Sequence, residues 1–376
     1  MLVNFGRVRM YGDVAVASPV IYENFQQIKD GAEVVIFDAY GVFWNGKELY
    51  DGSEQLMHDL ISEGKLVYVL SNNTQMSKEA MASYEKRGLR RNEHYHEFVT
   101  SGDFTNNVLR EARLTFKSVK DPKNVYIFGT PNRKIFEGTK YNIVDRVEDA
   151  SFVYVSTPQL TEEQYDSYPH KEQLRESGSS FFGAGGRRWD SLVIDPFIPE
   201  LENFRKMNLP ILVANPDLVA GERTRDGMEN NLVIRQGSIT VAYRKMGGEV
   251  VEFGKPDGSI YDTIFRDIEK RGRTINKNRI FMVGDTIRTD IKGAKNVGIK
   301  SVLCTETGVT ASEVKKRLGR RLEEFEKDKN LFAGQTRKIE EIKKAILMDL
   351  QKEEGCTADY LIEGISKNYG KKTLGN

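Results

Sequence analysis

The sequence predicts an α/β protein organised on a doubly wound parallel sheet, and three observations carry that expectation. Short runs such as Val34-Val-Ile-Phe37 and Leu66-Val-Tyr-Val-Leu70 are apolar at nearly every position, the pattern of strands buried on both faces. Between them lie segments of helical period that stop at a glycine. The strand-like runs end on small polar or charged residues, so strand, helix and turn chemistry alternate as in βαβ units.

The chain of 376 residues is long enough for one large or two ordinary domains, at roughly 150 residues each. With 39% hydrophobic and 30% charged residues it can build a core and stay solvated, and a net charge of +1 supplies no field for nucleic acid or an anionic membrane. Cys304 and Cys356 are too far apart in sequence to suggest a disulfide framework or metal cluster. The N-terminus lacks a basic-then-apolar signal, and no run approaches the ~20 apolar residues of a membrane span. A cytoplasmic protein with no nucleic-acid or membrane partner is expected.

In chain order, residues 1–30 read as an approach segment, with a helix start at Ser18-Pro19 and a short helix from Ile21 to Ile28. The strand Val34–Phe37 runs straight into Asp38. Gly52 to Gly64 reads as a helix with Leu56, Leu60 and Ile61 on one face, and Leu66–Leu70 as a strand ending at Ser71-Asn72-Asn73. A helix from Ser77 to Lys86, a strand from Glu97 to Thr100 and a helix from Phe104 to Leu114 follow.

From about Asp121 the texture changes. Asn124–Gly129 and Ser151–Val155 are strand-like, whereas Thr157–Asp190 is polar and without period. Its Gly183-Ala-Gly-Gly-Arg-Arg188 run could cradle an anion through backbone N–H groups. The spacing fits neither a dinucleotide loop nor a P-loop, so a solvated loop is expected. Ile211-Leu-Val-Ala-Asn-Pro-Asp217 is another strand with a polar end, and Ile239, Val241 and Tyr243 mark a short strand or a helix start. The expected organisation is a core segment at 1–117, an inserted domain at 118–248, and a second core segment at 249–376.

That last segment restores the parallel-sheet pattern. Val250–Asp257 is a short strand and loop carrying Lys255, and Ser259–Lys270 an amphipathic helix. Arg279-Ile-Phe-Met-Val-Gly-Asp-Thr286 ends at Asp285, with Asp290 five residues on, and Lys300–Cys304 is one more strand. Residues 311–352 read as charged amphipathic helices inserted before Ala358–Ile362, a strand that precedes a final helix.

Four strand ends therefore carry chemistry: Asp38, Ser71-Asn72, Lys255, and Asp285 with Asp290. In a doubly wound sheet such ends converge on one crevice. Read singly, each is an ordinary cap or turn residue; read so throughout, four coincidences are needed. Carboxylates this crowded need more positive charge than Lys255 supplies. Mg²⁺ meets the need, since it takes hard oxygens and one or two carboxylates beside substrate phosphate. Asp38 is then a nucleophile candidate, Ser71 and Lys255 phosphate ligands, and Asp285 a metal ligand.

Asp38-x-Tyr40-Gly41-Val42, Ser71-Asn72-Asn73, Gly254-Lys255-Pro256 and Gly284-Asp285-x4-Asp290 resemble, in order and spacing, the four motifs of the haloacid dehalogenase superfamily. Gly46, Asn215-Pro216-Asp217 and the phrase from Tyr243 to Pro256 resemble its class IIA branch, the NagD-like and nitrophenylphosphatase-like proteins. The likeness covers about residues 30–310. It implies a Rossmann-like core with a C2-type α/β cap between the second and third motifs, and a small phosphate ester as substrate. It further implies attack by Asp38 to give an aspartyl-phosphate, with Ser71, Asn72 and Lys255 on the phosphoryl group. Mg²⁺ would be held by Asp38, the Tyr40 carbonyl and Asp285, with Asp290 beside it. Cap-mediated dimers occur in that branch, so a homodimer through the cap is one expected assembly.

One departure stands out. Phosphatases that share these motifs carry a second Asp two residues after the nucleophile, as general acid and base; here Tyr40 stands there. General acid–base help is worth ~10²–10⁴ in rate. The expected activity is a Mg²⁺-dependent phosphatase that is weak, favours good leaving groups, or takes its acid from the cap. The alternatives are a phosphate-binding regulatory protein that has lost turnover, and a haloacid dehalogenase, whose own first motif Asp-Ala-Tyr-Gly resembles. Asn215 and Asp217 are candidates for the cap side of the cleft, although Asn-Pro-Asp is also good turn chemistry. His94-x-His96 lacks a third ligand nearby, and Phe43-Trp44 reads as packing in preference to substrate stacking.

Overall fold

The four-residue strand β2 (Val34–Phe37) lies in the interior of the larger of two parallel sheets. The computed structural model describes residues 20–169, 171–172, 180–183, 186–223, 230–326 and 335–369. The larger sheet takes in β1 (Ile21–Tyr22), β2, β3 (Leu66–Ser71), β4 (Glu97–Thr100), β14 (Ile280–Gly284), β15 (Lys300–Cys304) and β16 (Tyr360–Ile362), in the order β1-β16-β15-β14-β2-β3-β4. Every neighbouring pair is parallel. Chain order runs outward from β2 to β4 on one side and from β14 to β16 on the other, with β1 added at the outer edge beyond β16. The reversal point, where such sheets open a crevice at the carboxyl ends of their strands, therefore falls between β2 and β14.

The all-apolar runs are explained by what covers them. Val35 and Phe37 of β2, Val67 and Val69 of β3, and Phe281 and Val283 of β14 face one buried cluster, under the helix Ser53–Ser62. Val34 and Ile36, Tyr68 and Leu70, and Ile280 and Met282 face a second, under the helices Ser101–Arg110 and Asp262–Lys270. Alternation is present but hidden, because both faces are apolar.

The smaller sheet holds β5 (Asn124–Phe128), β6 (Asn142–Val144), β7 (Phe152–Val155), β10 (Ile211–Val213) and β13 (Val250–Glu252), in the order β13-β10-β7-β5-β6, again all parallel. Two antiparallel hairpins complete the strands: β8 (Ser180–Gly183) with β9 (Gly186–Trp189), and β11 (Val219–Arg223) with β12 (Asn230–Ile234). No helix among the described residues is long and apolar enough to cross a membrane.

Several expectations are corrected. Ile21–Ile28 is not a helix: Ile21 and Tyr22 pair with Leu361 and Ile362 at the sheet edge, and a single 3₁₀ turn follows at Phe25–Gln27. Ser18-Pro19 lies outside the described residues. Val250–Glu252 pairs with β10, so the smaller sheet runs past residue 248, and Lys255 sits on the link back to the larger sheet. The region 157–190 holds a short helix, Glu162–Asp166, closed by a Thr161–Gln164 capping box, and the β8–β9 hairpin. Within the glycine-arginine run, Gly183 and Gly186 pair across that hairpin, and Ala184 and Gly185 lie outside the described residues. Ile239 to Tyr243 belong to the helix Gln236–Lys245. The helix expected from Phe104 starts at Ser101, where the Thr100 hydroxyl caps it by accepting from Asp103 N. Turns follow β16 at residues 365–369 where a final helix was expected.

The charged segment forms two helices, Gly308–Glu326 and Gln335–Glu353. Val314, Ile346, Leu347 and Leu350 pack with Leu303 of β15 and Leu361 of β16, so one apolar stripe is spent on the larger sheet. Arg317 joins the helices through a two-pronged contact to Glu353 at 2.7 and 2.8 Å. The side chains of Leu322 and Phe325 lie outside the described residues.

Candidate active site

The site is assembled at the β2–β14 reversal. Asp38 follows β2 and its N–H donates to the Val283 carbonyl at 2.9 Å, carrying the β2–β14 ladder one residue beyond the strand. Asp285 follows β14 in the same way. Asp290 returns from a single π turn, Ile287–Ile291, of the kind found at functional sites. Its Oδ2 accepts from the N–H groups of Asp285 and Thr286 at 3.1 and 3.0 Å.

Lys255 fills the centre with 1% of its surface exposed. Its ammonium lies 2.7 Å from Asp38 Oδ1 and 2.8 Å from Asp290 Oδ1, and donates to the Leu70 carbonyl at 2.7 Å. Asn72 grips the same residue by its backbone: Lys255 N donates to Asn72 Oδ1 at 2.8 Å, and Asn72 Nδ2 donates to the Lys255 carbonyl at 3.0 Å. The Asn72 amide also donates to Asp217 Oδ1 at 3.1 Å, bringing in a carboxyl from the loop after β10. Asn72 was expected on the phosphoryl group; its side chain is instead committed to Lys255 and Asp217. Ser71, the last residue of β3, is buried, and its hydroxyl accepts from Asn73 N at 3.3 Å. Asn215 accepts from Asp217 N at 2.9 Å and so serves the turn.

Asp285 is held by groups that the sequence did not single out. The Thr286 hydroxyl donates to its Oδ1 at 3.1 Å and Val309 N to its Oδ2 at 2.6 Å. Gly41 and Gly308 approach the same carboxylate with left-handed φ of 74° and 72°. A Cβ on either would stand 2.3 or 1.8 Å from Oδ2. Only glycine supplies both that conformation and that space. The available signal was a glycine shortly after the strand Lys300–Cys304.

Burial sets the electrostatics. It pushes Asp38 up to about 7, with Lys255 opposing and Asp290 adding to the rise. Asp285 is driven well above the usual carboxylate range by burial, then by Asp290 and Asp38. Burial also raises Asp217, against Lys255. For Lys255, burial favours the neutral amine, but Asp290 and Asp38 outweigh it and hold the ammonium charged. Carboxylate oxygens of Asp38, Asp285 and Asp290 all lie within 4.8 Å of one another. Three hard anionic donors around one ammonium fit a small divalent cation, which would supply the missing positive charge.

Tyr40 points elsewhere. A Cβ on Gly221 of β11 would meet the Tyr40 hydroxyl at 2.0 Å, and one on Gly46 would meet its ring at 3.4 Å. The ring thus spans from its own loop to the β11–β12 hairpin. The other candidates are structural. His94 Nδ1 accepts from Arg90 N and His96 Nδ1 from Val67 N, both at 3.0 Å. Phe43 is fully buried in the core, and Trp44 packs edge-on to Tyr84 under the Arg87 guanidinium.

Comparison with known proteins places this geometry. A profile described as haloacid dehalogenase-like hydrolase matches residues 35–138, and a second, HAD-hydrolase-like, matches 252–325. Phosphoglycolate phosphatase 1A, chloroplastic, of Arabidopsis thaliana is 28% identical over 77% of this chain and 72% of its own length. A haloacid dehalogenase-like hydrolase from Brucella suis shares the fold with a TM-score of 0.60 at 22% identity, covering 78% of this chain and 92% of that one. A possible sugar phosphatase of the same superfamily from Cytophaga hutchinsonii does so with a TM-score of 0.58 at 20% identity, covering 92% and 98%.

Proposed function

The chain belongs to the haloacid dehalogenase-like hydrolases, with the class IIA arrangement of an inserted unit, and from that premise we propose that it is a Mg²⁺-dependent phosphatase acting on a small phosphomonoester through an aspartyl-phosphate on Asp38. The observation that carries this reading is the Lys255 ammonium, buried between Asp38 and Asp290 with Asp285 beside them.

Asp38 attacks phosphorus, and the leaving oxygen departs on the opposite side. Lys255 and the Ser71 hydroxyl take the phosphoryl oxygens, where fixed positive charge and donors stabilise the charge that develops. Asn72 keeps Lys255 in place through both its backbone groups. Asp38, the Tyr40 carbonyl and Asp285 would hold Mg²⁺, which when bound neutralises the carboxylates and the phosphoryl oxygens. Asp290 orients Lys255 and the turn that carries Asp285. A covalent intermediate splits one difficult displacement into two easier ones.

The smaller sheet forms the cap, and cap residues facing the cleft select the substrate. Because a relative is named a phosphoglycolate phosphatase, short phosphorylated acids are the first compounds to try. A homodimer through the cap and a cytoplasmic location belong to the same reading. The test is hydrolysis of an aryl phosphate with and without Mg²⁺, using Asp38→Asn. Mg²⁺-dependent turnover that this substitution abolishes supports the reading; turnover indifferent to it sinks it.

A phosphate-binding protein without turnover is the second reading, favoured by the one feature that departs from the motif, the Tyr40 ring turned to Gly221. Tight Mg²⁺-dependent binding of beryllium fluoride without hydrolysis of any phosphate ester would select it. A dehalogenase attacks carbon and needs no metal, so the metal-fitting carboxylates at Asp38 and Asp285 speak against it, and chloride release from a 2-haloacid tests that alternative directly.

A further inference from the structure

Phosphate-ester cleavage needs a proton donor on the leaving-group side, and position 40 does not offer a carboxyl. In-line displacement puts the leaving oxygen away from Asp38, hence away from the larger sheet that carries the nucleophile. Asp38, Asp285 and Asp290 all rise from that larger sheet. The remaining carboxyl of the cluster, Asp217, comes from the smaller one, in the loop between β10 and β11.

That loop is seated firmly. Gly237 N donates to the Asp217 carbonyl at 3.0 Å, and Arg235 N and the Ser238 hydroxyl donate to the Leu218 carbonyl at 2.8 and 2.7 Å. A Cβ on Gly237 would stand 2.1 Å from the Pro216 carbonyl oxygen, so the first turn of the helix Gln236–Lys245 presses directly on the loop. The Asp217 side chain then reaches the larger sheet at two points, Asn72 and the Thr289 hydroxyl.

The charge balance calls for a protonated carboxyl in the site. Four carboxyls share one ammonium, and a bound phosphate ester adds two negative charges. Even one divalent cation leaves a large surplus of negative charge in a buried site, which is costly. Asp290 lies against Lys255 and accepts from two N–H groups, and Asp285 accepts from Val309 N and the Thr286 hydroxyl. Asp38 must be ionised to attack. Asp217 accepts from Asn72 on Oδ1 and from the Thr289 hydroxyl, and it is the carboxyl that the smaller sheet brings to the cluster.

We propose that Asp217 is the general acid and base of this phosphatase, replacing the group that position 40 lacks; the proposal rests on the aspartyl-phosphate reading above. As the Asp38 oxygen bonds to phosphorus and the P–O bond to the leaving group breaks, the Asp217 carboxyl gives its proton to the departing oxygen, releasing the alcohol. Asp217 is now a carboxylate. Water then attacks phosphorus, its proton passes to Asp217, and the P–O bond to Asp38 breaks. Phosphate leaves, Asp38 is again a carboxylate, and Asp217 is again protonated.

The experiment compares the Mg²⁺-loaded wild type with Asp217→Asn and Asp217→Glu on esters of graded leaving group: p-nitrophenyl phosphate, phenyl phosphate and glycerol phosphate. For Asp217→Asn, kcat/KM on glycerol phosphate should fall ~10²-fold or more, the range of general acid catalysis. On p-nitrophenyl phosphate, whose leaving group needs little protonation, kcat/KM should stay within about threefold, because it reports the first step. Its kcat should still fall, with a nitrophenolate burst and acid-stable phosphate counts on Asp38, because hydrolysis of the intermediate has lost its base. Asp217→Glu should recover part of the glycerol phosphate rate. Equal losses on all three esters would show that Asp217 only positions Asn72, and no loss on any would show that it is a bystander; both overturn the proposal. Beryllium fluoride binding to Asp217→Asn separates either outcome from misfolding. If Asp38→Asn hydrolyses nitrophenyl phosphate normally, the underlying phosphatase reading fails first, independently of Asp217.

Discussion

Gly308→Ala tests the cradle around Asp285, and Gly319→Ala in the same helix is its internal control. Gly308 has φ of 72°, where a side chain costs ~1–2 kcal/mol. The added Cβ would lie 1.8 Å from Asp285 Oδ2 and 2.5 Å from its carboxyl carbon, so the carboxylate must move. Moving it breaks the 2.6 Å bond from Val309 N, a bond to a charged group worth ~1.5–3 kcal/mol. Together these predict a loss of about 2.5–5 kcal/mol in urea unfolding with EDTA present. Gly319 has no atom within 4 Å of its hypothetical Cβ, and alanine inside a helix is better than glycine by ~0.5–1 kcal/mol. The two substitutions should therefore shift stability in opposite directions. Titration calorimetry should show Mg²⁺ affinity at least tenfold weaker for Gly308→Ala and unchanged for Gly319→Ala. The cradle is refuted if Gly308→Ala loses under about 1 kcal/mol, the low end of the backbone strain alone, and still binds Mg²⁺ like the wild type.

Three further outcomes are expected. Lys255→Met leaves Asp38 and Asp290 buried without their cation, which costs ~3–5 kcal/mol near neutral pH and less at pH 5, below the raised Asp38 value of about 7; denaturant midpoints at the two pH values check it. Without divalent ions the native state should lose stability as pH rises from about 4 to about 7, because Asp38 is raised from 3.8 to about 7 and Asp285 is raised as well, so the folded chain binds more protons than the unfolded one. Asp359, lowered to about 2, acts with the opposite sign but below that window, while His94 and His96, lowered by burial, oppose the trend inside it with smaller shifts than that of Asp38. Saturating Mg²⁺ should flatten or reverse the trend, and a urea midpoint higher at pH 8 than at pH 5 in EDTA would contradict it. Gly221→Ala forces a Cβ to 2.0 Å from the Tyr40 hydroxyl and should cost ~1–3 kcal/mol, whereas in a Tyr40→Ala background it should be nearly neutral. A double-mutant cycle with no coupling would show that the two residues do not touch.

The larger sheet was legible because both its faces are covered, which forces uninterrupted apolar runs at β2, β3 and β14. The position of Asp38 and Asp285 followed from those runs, since a strand that ends on a carboxylate needs no tertiary knowledge to be seen. What escaped depends on partners far away in sequence. Ile21 and Tyr22 form a strand only because Leu361 and Ile362 offer an edge. Val250–Glu252 reads the same whichever sheet it joins, and β10 decides. Asn72 belongs to a motif whose spacing suggests contact with phosphate, yet its amide is saturated by Lys255 and Asp217, residues 183 and 145 positions away. Val309 acts through its N–H, to which no side-chain pattern points.

These long-range contacts explain how a site split between two sheets keeps its charge together. Lys255 lies three residues beyond β13, so a swing of the smaller sheet would drag the ammonium away from Asp38 if nothing else held it. Asn72 prevents that by gripping both backbone groups of Lys255 from the end of β3, which belongs to the larger sheet. Asp217 is tied to the same amide by one 3.1 Å hydrogen bond, and its backbone is fixed to the smaller sheet's own helix. Opening the cleft would cost the Asp217 bonds to Asn72 and Thr289 together with contacts such as Asn132 Nδ2 to the Thr74 carbonyl, and would leave Lys255, Asp38, Asp285 and Asp290 in register. Under the proposed mechanism, a carboxyl carried by the smaller sheet is matched to a reaction in which the proton is needed only while the ester is enclosed, and the Tyr40 ring, which meets Gly221 of the neighbouring hairpin, joins the nucleophile loop to that same sheet's side of the site.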